Sequence, residues 1–232
     1  MLSDCMLTWF VPTAPAALKT LFEAGEPVSA PSGTIVQYET EPYDSLYWVE
    51  DGVVGQAVLN HSLNKPAAMN LYLSGTMMGF INLFTGVSSP RRLIVQLPGA
   101  RLRKIPKADY LDAVRADPAL LFETARYAEA AAKSELIGME ALFSLNTEDR
   151  LSLFFASAAS ACGRPAERPG WTALPPLVTR AALCDIVYVS AVTLDRMLAR
   201  CRRQGVLDRT DSGGWLVHED LTAPMIRWLK EH

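Results

Sequence analysis

The stretch that decides the fold of this chain runs from Thr179 to Leu207 and reads TRAALCDIVYVSAVTLDRMLARCRRQGVL. Thr179 and Ser190 are of the residue types that cap helix N-termini, because their side-chain oxygens accept hydrogen bonds from free backbone N–H groups. Gly205 is of the type that ends a helix. The spacing therefore predicts a helix-turn-helix, with the turn at residues 187–189 and the second helix closing at Gly205.

The apolar residues of this stretch recur at i, i+3, i+4 and i+7, which is typical of helices that bury one side only. The two helices are predicted to share one core through these positions. They are Leu183, Ile186 and Val187 on the first helix and Leu194, Met197, Leu198 and Cys201 on the second.

The opposite side of the stretch is basic, in a chain whose formal net charge is −3. Six arginines and only three aspartates lie in or directly after this stretch. They are Arg180, Arg196, Arg200, Arg202, Arg203 and Arg209, and Asp185, Asp195 and Asp208. A local positive region on an acidic protein favours binding to nucleic-acid phosphates, since each neutralised phosphate releases counterions. The alternative is an amphipathic helical hairpin whose arginines are simply solvated.

Length and composition predict one or two buried cores. The chain has 232 residues, of which 50% are apolar, and two domains are the natural expectation. No segment approaches the ~20 apolar residues of a membrane span, and the first lysine is Lys19, so we expect a cytoplasmic protein without a signal peptide. The four cysteines form no CxxC pair, which suggests neither a zinc knuckle nor a disulfide framework and predicts reduced thiols. We expect no cofactor.

The periodicity changes along the chain and predicts an α+β fold. From Gly33 to about Pro106 the sequence predicts short antiparallel strands that form a sandwich, roll or barrel. The predicted turns lie at Gly33, Gly52, residues 64–66, Gly75, Gly86 and Pro98-Gly99. From Asp117, a good helix cap followed by proline, the pattern is helical.

The helix from Pro118 to about Leu145 would be roughly 40 Å long at 1.5 Å per residue, more than one small domain requires. Its small and apolar residues predict a face that packs against a second copy, which makes the protein a homodimer. The alternative is packing within its own chain. The residues of this face are Leu121, Ala125, Ala128, Ala132 and Met139, with Leu120, Tyr127, Ala131 and Gly138 nearby.

The remaining segments complete a C-terminal unit. Residues 147–149 predict the cap of a helix that ends at Cys162-Gly163, and a proline-rich linker follows as far as Pro176. Two short apolar segments flank residues 211–214 and predict a two-stranded wing. The expected domains are a β-domain over residues 1–113, a dimerisation helix over 114–145 and a winged helix-turn-helix over 146–232.

Three motifs in this order resemble the Crp/Fnr family of bacterial transcription regulators. A strand and glycine turn of the family's β-roll is similar to residues 45–54, SLYWVEDGVV. The segment before its phosphate-binding cassette is similar to residues 71–84, LYLSGTMMGFINLF. Residues 179–207 follow its DNA-binding helices. The resemblance implies a jelly-roll-like, double-stranded β-helix that resembles a cyclic-nucleotide-binding domain, a homodimer on an inverted-repeat operator of double-stranded DNA, and RNA polymerase as a partner.

The resemblance also implies an effector site, with departures. Phe80 stands where nucleotide-binding members have a glutamate for the ribose hydroxyl, and a phenylalanine cannot accept that hydrogen bond. We therefore expect an unidentified small effector other than cyclic AMP. The alternatives are a ligand-free β-roll on a constitutive regulator and a run of aromatic and methionine side chains that is plain core. The expected effector-binding residues are Tyr72, Gly79, Phe80, Asn82, Leu83, Arg91 and Arg92, with Phe84, Met77 and Met78 completing an apolar lining.

The DNA-binding residues are carried over in the same way. Ser190 and Thr193 match positions that contact phosphate or support the helix entry, and Arg196 matches an arginine that reaches guanine. Ala191 and Val192 can touch a thymine methyl group but cannot hydrogen-bond a base. The full set is Thr179, Arg180, Ser190, Ala191, Val192, Thr193, Arg196 and Arg200.

Other functional classes have weaker support. Cys5 is the one cysteine near the N-terminus, so a four-cysteine cluster is not expected, and His61 is interpreted as a solvated hairpin residue rather than a haem ligand. Cys201 lies between Arg200 and Arg202, which would favour a reactive thiol, but its apolar position favours burial. The sequence carries no GxGxxG, HExxH, P-loop or nucleophile-elbow motif, so no enzymatic activity is expected.

Overall fold

The computed structural model describes residues 7–39, 41–60, 65–81, 83–85 and 91–231. They form two compact units: one is Val11–Lys133, and the other joins the residues up to Phe10 with the chain from Ser134 onward. Within these described ranges, no helix has both the length and the apolar character to cross a bilayer.

The unit Val11–Lys133 is built on an antiparallel sheet, as the sequence predicted. Four strands follow one another in the order β1-β6-β3-β4, with β2 beside β6 and β5 beside β3. The elements are α1 (Ala16–Lys19), a 3-10 turn (Thr20–Phe22), β1 (Glu26–Pro31), β2 (Ile35–Gln37), β3 (Ser45–Asn60), β4 (Lys65–Leu73), β5 (Met77–Met78), β6 (Arg91–Pro106), α2 (Lys107–Ala116) and the start of α3 (Pro118–Ser144).

Two predicted turns of the β-domain are wrong, a third at residues 64–66 overlaps the start of β4 at Lys65, and the one at Gly86 lies outside the described residues. Gly52 lies inside β3 and Pro98-Gly99 inside β6, and each of these strands has 16 residues instead of being short. Gly52 pairs with Ala100, beside register shifts in the β3–β6 ladder. The breakers lie opposite each other, so both strands bend at the same place and pairing continues across the bend.

An apolar core fills this unit. Its centre is formed by fully buried side chains of β3, β5 and β6 together with aromatic residues from flanking helices. Phe22 packs with its ring centroid 5.8 Å from Trp48 and 6.2 Å from Tyr110. Tyr127 of α3 belongs to the same core, so the first half of α3 is an integral part of the β-domain's packing.

The helix α3 is confirmed with the predicted start. The carboxylate of Asp117 accepts a hydrogen bond from the backbone N–H of Ala119 at 2.9 Å, and the helix runs from Pro118 to Ser144. Proline fits the first helical position, where the N–H has no partner in any case.

The second unit packs the end of α3 and the helices that follow it with a four-stranded antiparallel sheet of order β7-β8-β10-β9. The elements are α4 (Thr147–Cys162), β7 (Arg164–Pro165), β8 (Trp171–Leu174), α5 (Arg180–Val187), α6 (Ala191–Arg203), β9 (Leu207–Arg209), β10 (Trp215–His218) and α7 (Glu219–Glu231). Phe155 joins the two layers, with ring centroids 5.6 Å from Phe154 and 5.5 Å from Trp215.

Three features of this unit differ from the sequence-based expectation. The cap of α4 is Asn146, not Thr147: its side chain accepts from the N–H groups of Glu148 and Asp149. The predicted linker contains β7 and β8, so the wing strands belong to a larger sheet. Helix α7 was not predicted, although its acidic first turn and its buried Thr222, Met225 and Leu229 carry a helical signal.

Candidate nucleic-acid interface

The helix-turn-helix is confirmed at the predicted residues. Thr179 caps α5 by accepting from the N–H of Ala182, and Ser190 caps α6 by accepting from the N–H of Thr193. Gly205 adopts φ +70° after α6, and its N–H donates to the carbonyl of Arg202 at 3.0 Å. Both ends of α6 are therefore satisfied by local hydrogen bonds, which sets its length.

The shared core of the two helices is also confirmed. The buried side chains are Leu183, Ile186 and Val187 of α5 and Leu194, Met197 and Leu198 of α6. Cys201 is half-buried at the end of the same stripe. This packing leaves one face of α6 directed away from its own core.

The exposed face of α6 carries the residues expected to read bases. Arg196 is exposed, and among the residues that the structure describes no carboxylate lies within ion-pair distance of it. Val192 is 59% exposed, Ala191 is half-buried, and the hydroxyl oxygens of Ser190 and Thr193 lie 2.9 Å apart. One apolar and one cationic side chain are thus available on the first two turns.

Two of the expected DNA-binding arginines have partners within the unit. Arg180 donates through Nε to Asp195 at 2.7 Å and also to the carbonyl of Ala191, which braces α5 against α6. Arg200 forms an ion pair with Glu148 of α4. Both pairs are exposed, where such contacts contribute little stability, so neither excludes a phosphate contact by the same arginine.

Two arginines of the basic stretch meet beside the wing: Arg202, which the sequence indicates as a phosphate contact or a solvated charge, and Arg209. Arg209 and Arg202 place their guanidinium carbons 3.4 Å and 5.6 Å from the ring centroid of Trp215. The sequence shows both as positive charges, but it does not show that they meet at one ring, because Arg202, Arg209 and Trp215 lie on three different elements.

Only part of the predicted dimer face of α3 is exposed, because Tyr127, Ala131 and Gly138 are buried within the chain. Leu121, Met139 and Leu136 are 42%, 46% and 63% exposed, and Phe143 is 87% exposed. Ala125 and Ala132 lie between them on the same side of the helix. We call the residues Leu121, Ala125, Ala132, Leu136, Met139 and Phe143 the α3 stripe.

The expected effector residues of the β-roll are closely packed. Phe80 is 7% exposed, and its ring centroid lies 5.0 Å from that of Tyr127 and 6.5 Å from that of Tyr72. Tyr127 is held in place because its hydroxyl bonds to both the N–H and the carbonyl of Met77, at 3.0 and 2.9 Å. Leu83 is buried in the same core, so these side chains fill the interior that they were expected to line.

The two arginines expected at the effector site, Arg91 and Arg92 at the start of β6, both contact side chains of their own domain. Arg92 forms a bidentate pair with Glu39 at 2.7 and 2.8 Å, and this contact raises the pKa of Arg92. Arg91 donates to the Oε1 of Gln56 at 3.1 Å. Gln56 is buried, and its Nε2 has no hydrogen-bond partner, which leaves one donor unsatisfied beside Arg91.

Gly79 has a backbone role. Its φ is +86°, and a Cβ atom there would lie 2.6 Å from the carbonyl oxygen of Ser45, a contact that no side chain can make. Phe84 is 62% exposed and does not join the apolar lining. Asn82, His61 and Cys5 lie outside the described residues.

The described cysteines are poor candidates for a redox switch, because burial raises the pKa of each thiol. The pKa of Cys162 rises to about 11, and burial is also the main cause of the raised pKa values of Cys184 and Cys201. For Cys201 the neighbouring Glu148 adds to this effect, while Arg200 opposes it.

We therefore expect slow alkylation of these three cysteines by iodoacetamide at neutral pH, because the thiolate is the reactive form. Mass-spectrometric peptide mapping would follow each residue, with the urea-unfolded protein as the fast control. Labelling of Cys201 in the folded protein at the unfolded rate would contradict this prediction.

The β-roll, the long helix and the winged helix-turn-helix, in this order, give the chain the fold of Crp/Fnr-type regulators. The structure of FixK2 from Bradyrhizobium japonicum superposes with a TM-score of 0.72 at 17% identity, covering 89% of this chain and 97% of that one. The regulator CLP of Xanthomonas campestris gives 0.67 at 18% identity, covering 87% and 97%. A Crp/Fnr-family transcriptional regulator from Thermus thermophilus gives 0.63 at 20%, covering 89% and 99%.

No protein-family sequence model matches the chain, and no curated protein matches it.

Proposed function

We propose that this protein is a transcription regulator that binds double-stranded DNA through α6, as a homodimer on an inverted repeat. The observation that carries the proposal is the exposed face of α6, where Arg196 has no carboxylate partner among the described residues while both helix ends are capped and the opposite face is buried. A rigid helix with a free guanidinium suits insertion into the major groove. Solved structures of the same fold are described as regulators, which supports the assignment.

The test is a selection from random duplexes, repeated with Arg196→Ala. We expect the wild type to enrich an inverted repeat, and the variant to lose discrimination at one base pair of each half-site by about 10- to 100-fold, the value of one bidentate arginine–guanine contact. Fluorescence anisotropy would measure the affinities for the enriched site and its substituted versions.

Arg227→Ala is the matched control, because Arg227 is an exposed arginine on α7, outside the helix-turn-helix. An unchanged preference at every position in the Arg196→Ala variant would refute base reading by this residue. Failure of the wild type to prefer any duplex would refute the proposed function as a whole.

The homodimer is proposed to form through the α3 stripe. Six side chains of one helix that are small or apolar and exposed form a surface that a second copy of the helix can cover by knobs-into-holes packing. A two-fold dimer would place two α6 helices about one DNA turn apart and would explain why the operator should be an inverted repeat. RNA polymerase is the expected partner at the promoter.

Regulation is proposed to act through the β-roll, by an effector that is not cyclic AMP. The packing of Phe80 against Tyr72 and Tyr127, and the closed Arg92–Glu39 pair, leave the nucleotide's ribose and phosphate without their partners. The unsatisfied Nε2 of Gln56 next to Arg91 instead favours a small acceptor such as a carboxylate, since a buried unpaired donor costs about 1–3 kcal/mol.

The alternative is a constitutive regulator whose β-roll needs no ligand, which the filled aromatic interior favours. Anisotropy titrations with and without a small-molecule extract of cells separate the two versions. A change in duplex affinity that the extract causes in the wild type and that Gln56→Leu abolishes supports gating, and an extract without effect supports the constitutive version. Tight calorimetric binding of cyclic AMP would contradict both.

A further inference from the structure

Two arginines converge on one fixed aromatic ring in the second unit. The ring of Trp215 is 8% exposed and is held from the core side by Phe155, at 5.5 Å and 72° between the ring planes. Arg209 of β9 lies 3.4 Å from its centroid, and Arg202 of the last turn of α6 lies 5.6 Å from it. The buried ring of Trp215 is therefore fixed by its packing, whereas both arginines are exposed residues whose cations lie at the surface.

This pair of like charges is not neutralised within the unit. In the described part of the chain, no carboxylate lies within ion-pair distance of Arg202 or Arg209. Burial, and after it the charge of Arg202, lowers the pKa of Arg209. Two guanidinium groups held together against their repulsion form a site that an anion would stabilise.

The orientation of Arg209 leaves donors available. One Nη donates to the carbonyl oxygen of Gly213 in the wing at 2.9 Å, which holds the side chain across the ring. A guanidinium has five N–H donors in a planar fork, so a single carbonyl leaves the remaining donors for an anion. The wing therefore orients the side chain of Arg209 and leaves most of its N–H donors without a partner in the wing.

A cavity of about 280 Å³ adjoins the pair and is lined by residues of both DNA-binding helices. Thr179, the cap of α5, and the paired Arg180 and Asp195 belong to its wall together with Arg202 and Arg209. Because Arg180 and Asp195 neutralise each other, the wall keeps an excess of two positive charges. A phosphate group is small enough for this space and has the matching charge.

We propose that Arg202, Arg209 and Trp215 form a phosphate clamp that binds the sugar–phosphate backbone of duplex DNA beside the groove occupied by α6. This inference rests on the proposed function and specifies a contact that the recognition helix alone does not make. A phosphate contact carries no base information. The clamp therefore adds affinity for every sequence and positions α6, while Arg196 supplies the preference between sequences.

The test measures duplex affinity against salt concentration for the wild type and for the double variant Arg202→Gln/Arg209→Gln. We expect the variant to bind both the preferred and a scrambled duplex about 10- to 100-fold more weakly at low salt, with a salt slope shallower by about 0.9 for each lost phosphate contact, hence about 1.8 for a dimer. Circular dichroism and thermal melting check folding, and the single variant Arg202→Gln gives a second reading if the double variant melts early.

The matched control is Arg227→Gln/Lys230→Gln, which removes two exposed positive charges from α7 of the same unit. We expect it to keep the wild-type slope within experimental error. A clamp variant that binds like this control overturns the clamp and leaves the proposed function intact. A loss confined to the preferred duplex assigns base reading to the pair and also overturns the clamp.

Two further outcomes separate the sources of phosphate and the two proposals. Calorimetry with inorganic phosphate is expected to show weak binding; tight binding that the double variant loses while keeping its duplex affinity would reassign the site to a free phosphate and overturn the clamp. A wild type that binds no duplex at all refutes the proposed function, and the clamp falls with it.

Discussion

Met139→Glu is expected to convert the dimer into a monomer and to weaken binding to the full inverted repeat by at least about 100-fold, because two linked half-site contacts become one. Met139 lies in the C-terminal half of the α3 stripe and is 46% exposed in the single chain. In a dimer this position would be covered by the partner helix, where two glutamates would be desolvated close to each other. Light scattering would measure the mass, and anisotropy the affinity for full and half sites.

Lys133→Glu is the control for this experiment. Lys133 is an exposed residue of the same helix outside the α3 stripe, so the same new side chain is expected to leave the dimer intact. Binding to an isolated half-site is expected to be similar for Met139→Glu and wild type, since the helix-turn-helix is unchanged. A Met139→Glu protein that stays dimeric would show that the interface lies elsewhere.

Phe80→Ala is expected to lower the free energy of unfolding of the β-roll by about 3–5 kcal/mol, the usual cost of removing a buried phenyl ring. The ring is 7% exposed and packs against Tyr72 and Tyr127, both of which are fixed by hydrogen bonds. The cavity can therefore collapse only in part. Urea unfolding followed by circular dichroism would measure the loss, and calorimetry would show that cyclic AMP still does not bind.

Phe84→Ala provides the comparison, because Phe84 is 62% exposed four residues further along the same segment. We expect its effect on stability to remain within about 0.5 kcal/mol, as for other exposed positions. If Phe80→Ala were as mild as Phe84→Ala, then Phe80 would be the wall of an open site rather than core, and the effector-gated version would gain support.

Much of the fold could be predicted from local patterns. The helix-turn-helix depends on Thr179 and Ser190 as caps and on an apolar stripe that repeats with the helical period, and all of these signals lie within 29 consecutive residues. The start of α3 at Pro118 is equally local. The wing strands were found because turn residues separate two short apolar segments, and the structure pairs Trp215 with Arg209.

The errors concern residues whose role depends on a distant partner. Gly52 and Pro98-Gly99 have the composition of turns, yet they lie opposite each other in long strands, and that pairing closes over more than 40 intervening residues. The stretch as far as Pro176 has the composition of a linker because residues 164–176 contain four prolines, but β8 within it pairs with β10. Whether a strand forms at such positions depends on the neighbour that supplies its hydrogen bonds.

Some features of the candidate site could likewise be predicted from the sequence, and others could not. The arginine-rich face of α6 can be predicted from the sequence. The sequence does not show that Arg202 and Arg209 both contact Trp215, or that Arg92 forms an ion pair with Glu39. The amino-acid sequence alone set the helices, their caps and the sign of their charge, because these depend on residues within a few turns of one another. Only the tertiary structure decided which charges are paired, which rings fill the roll and where two cations meet, because those contacts join side chains of different helices and strands, and the packing of one element against another is not set by local sequence.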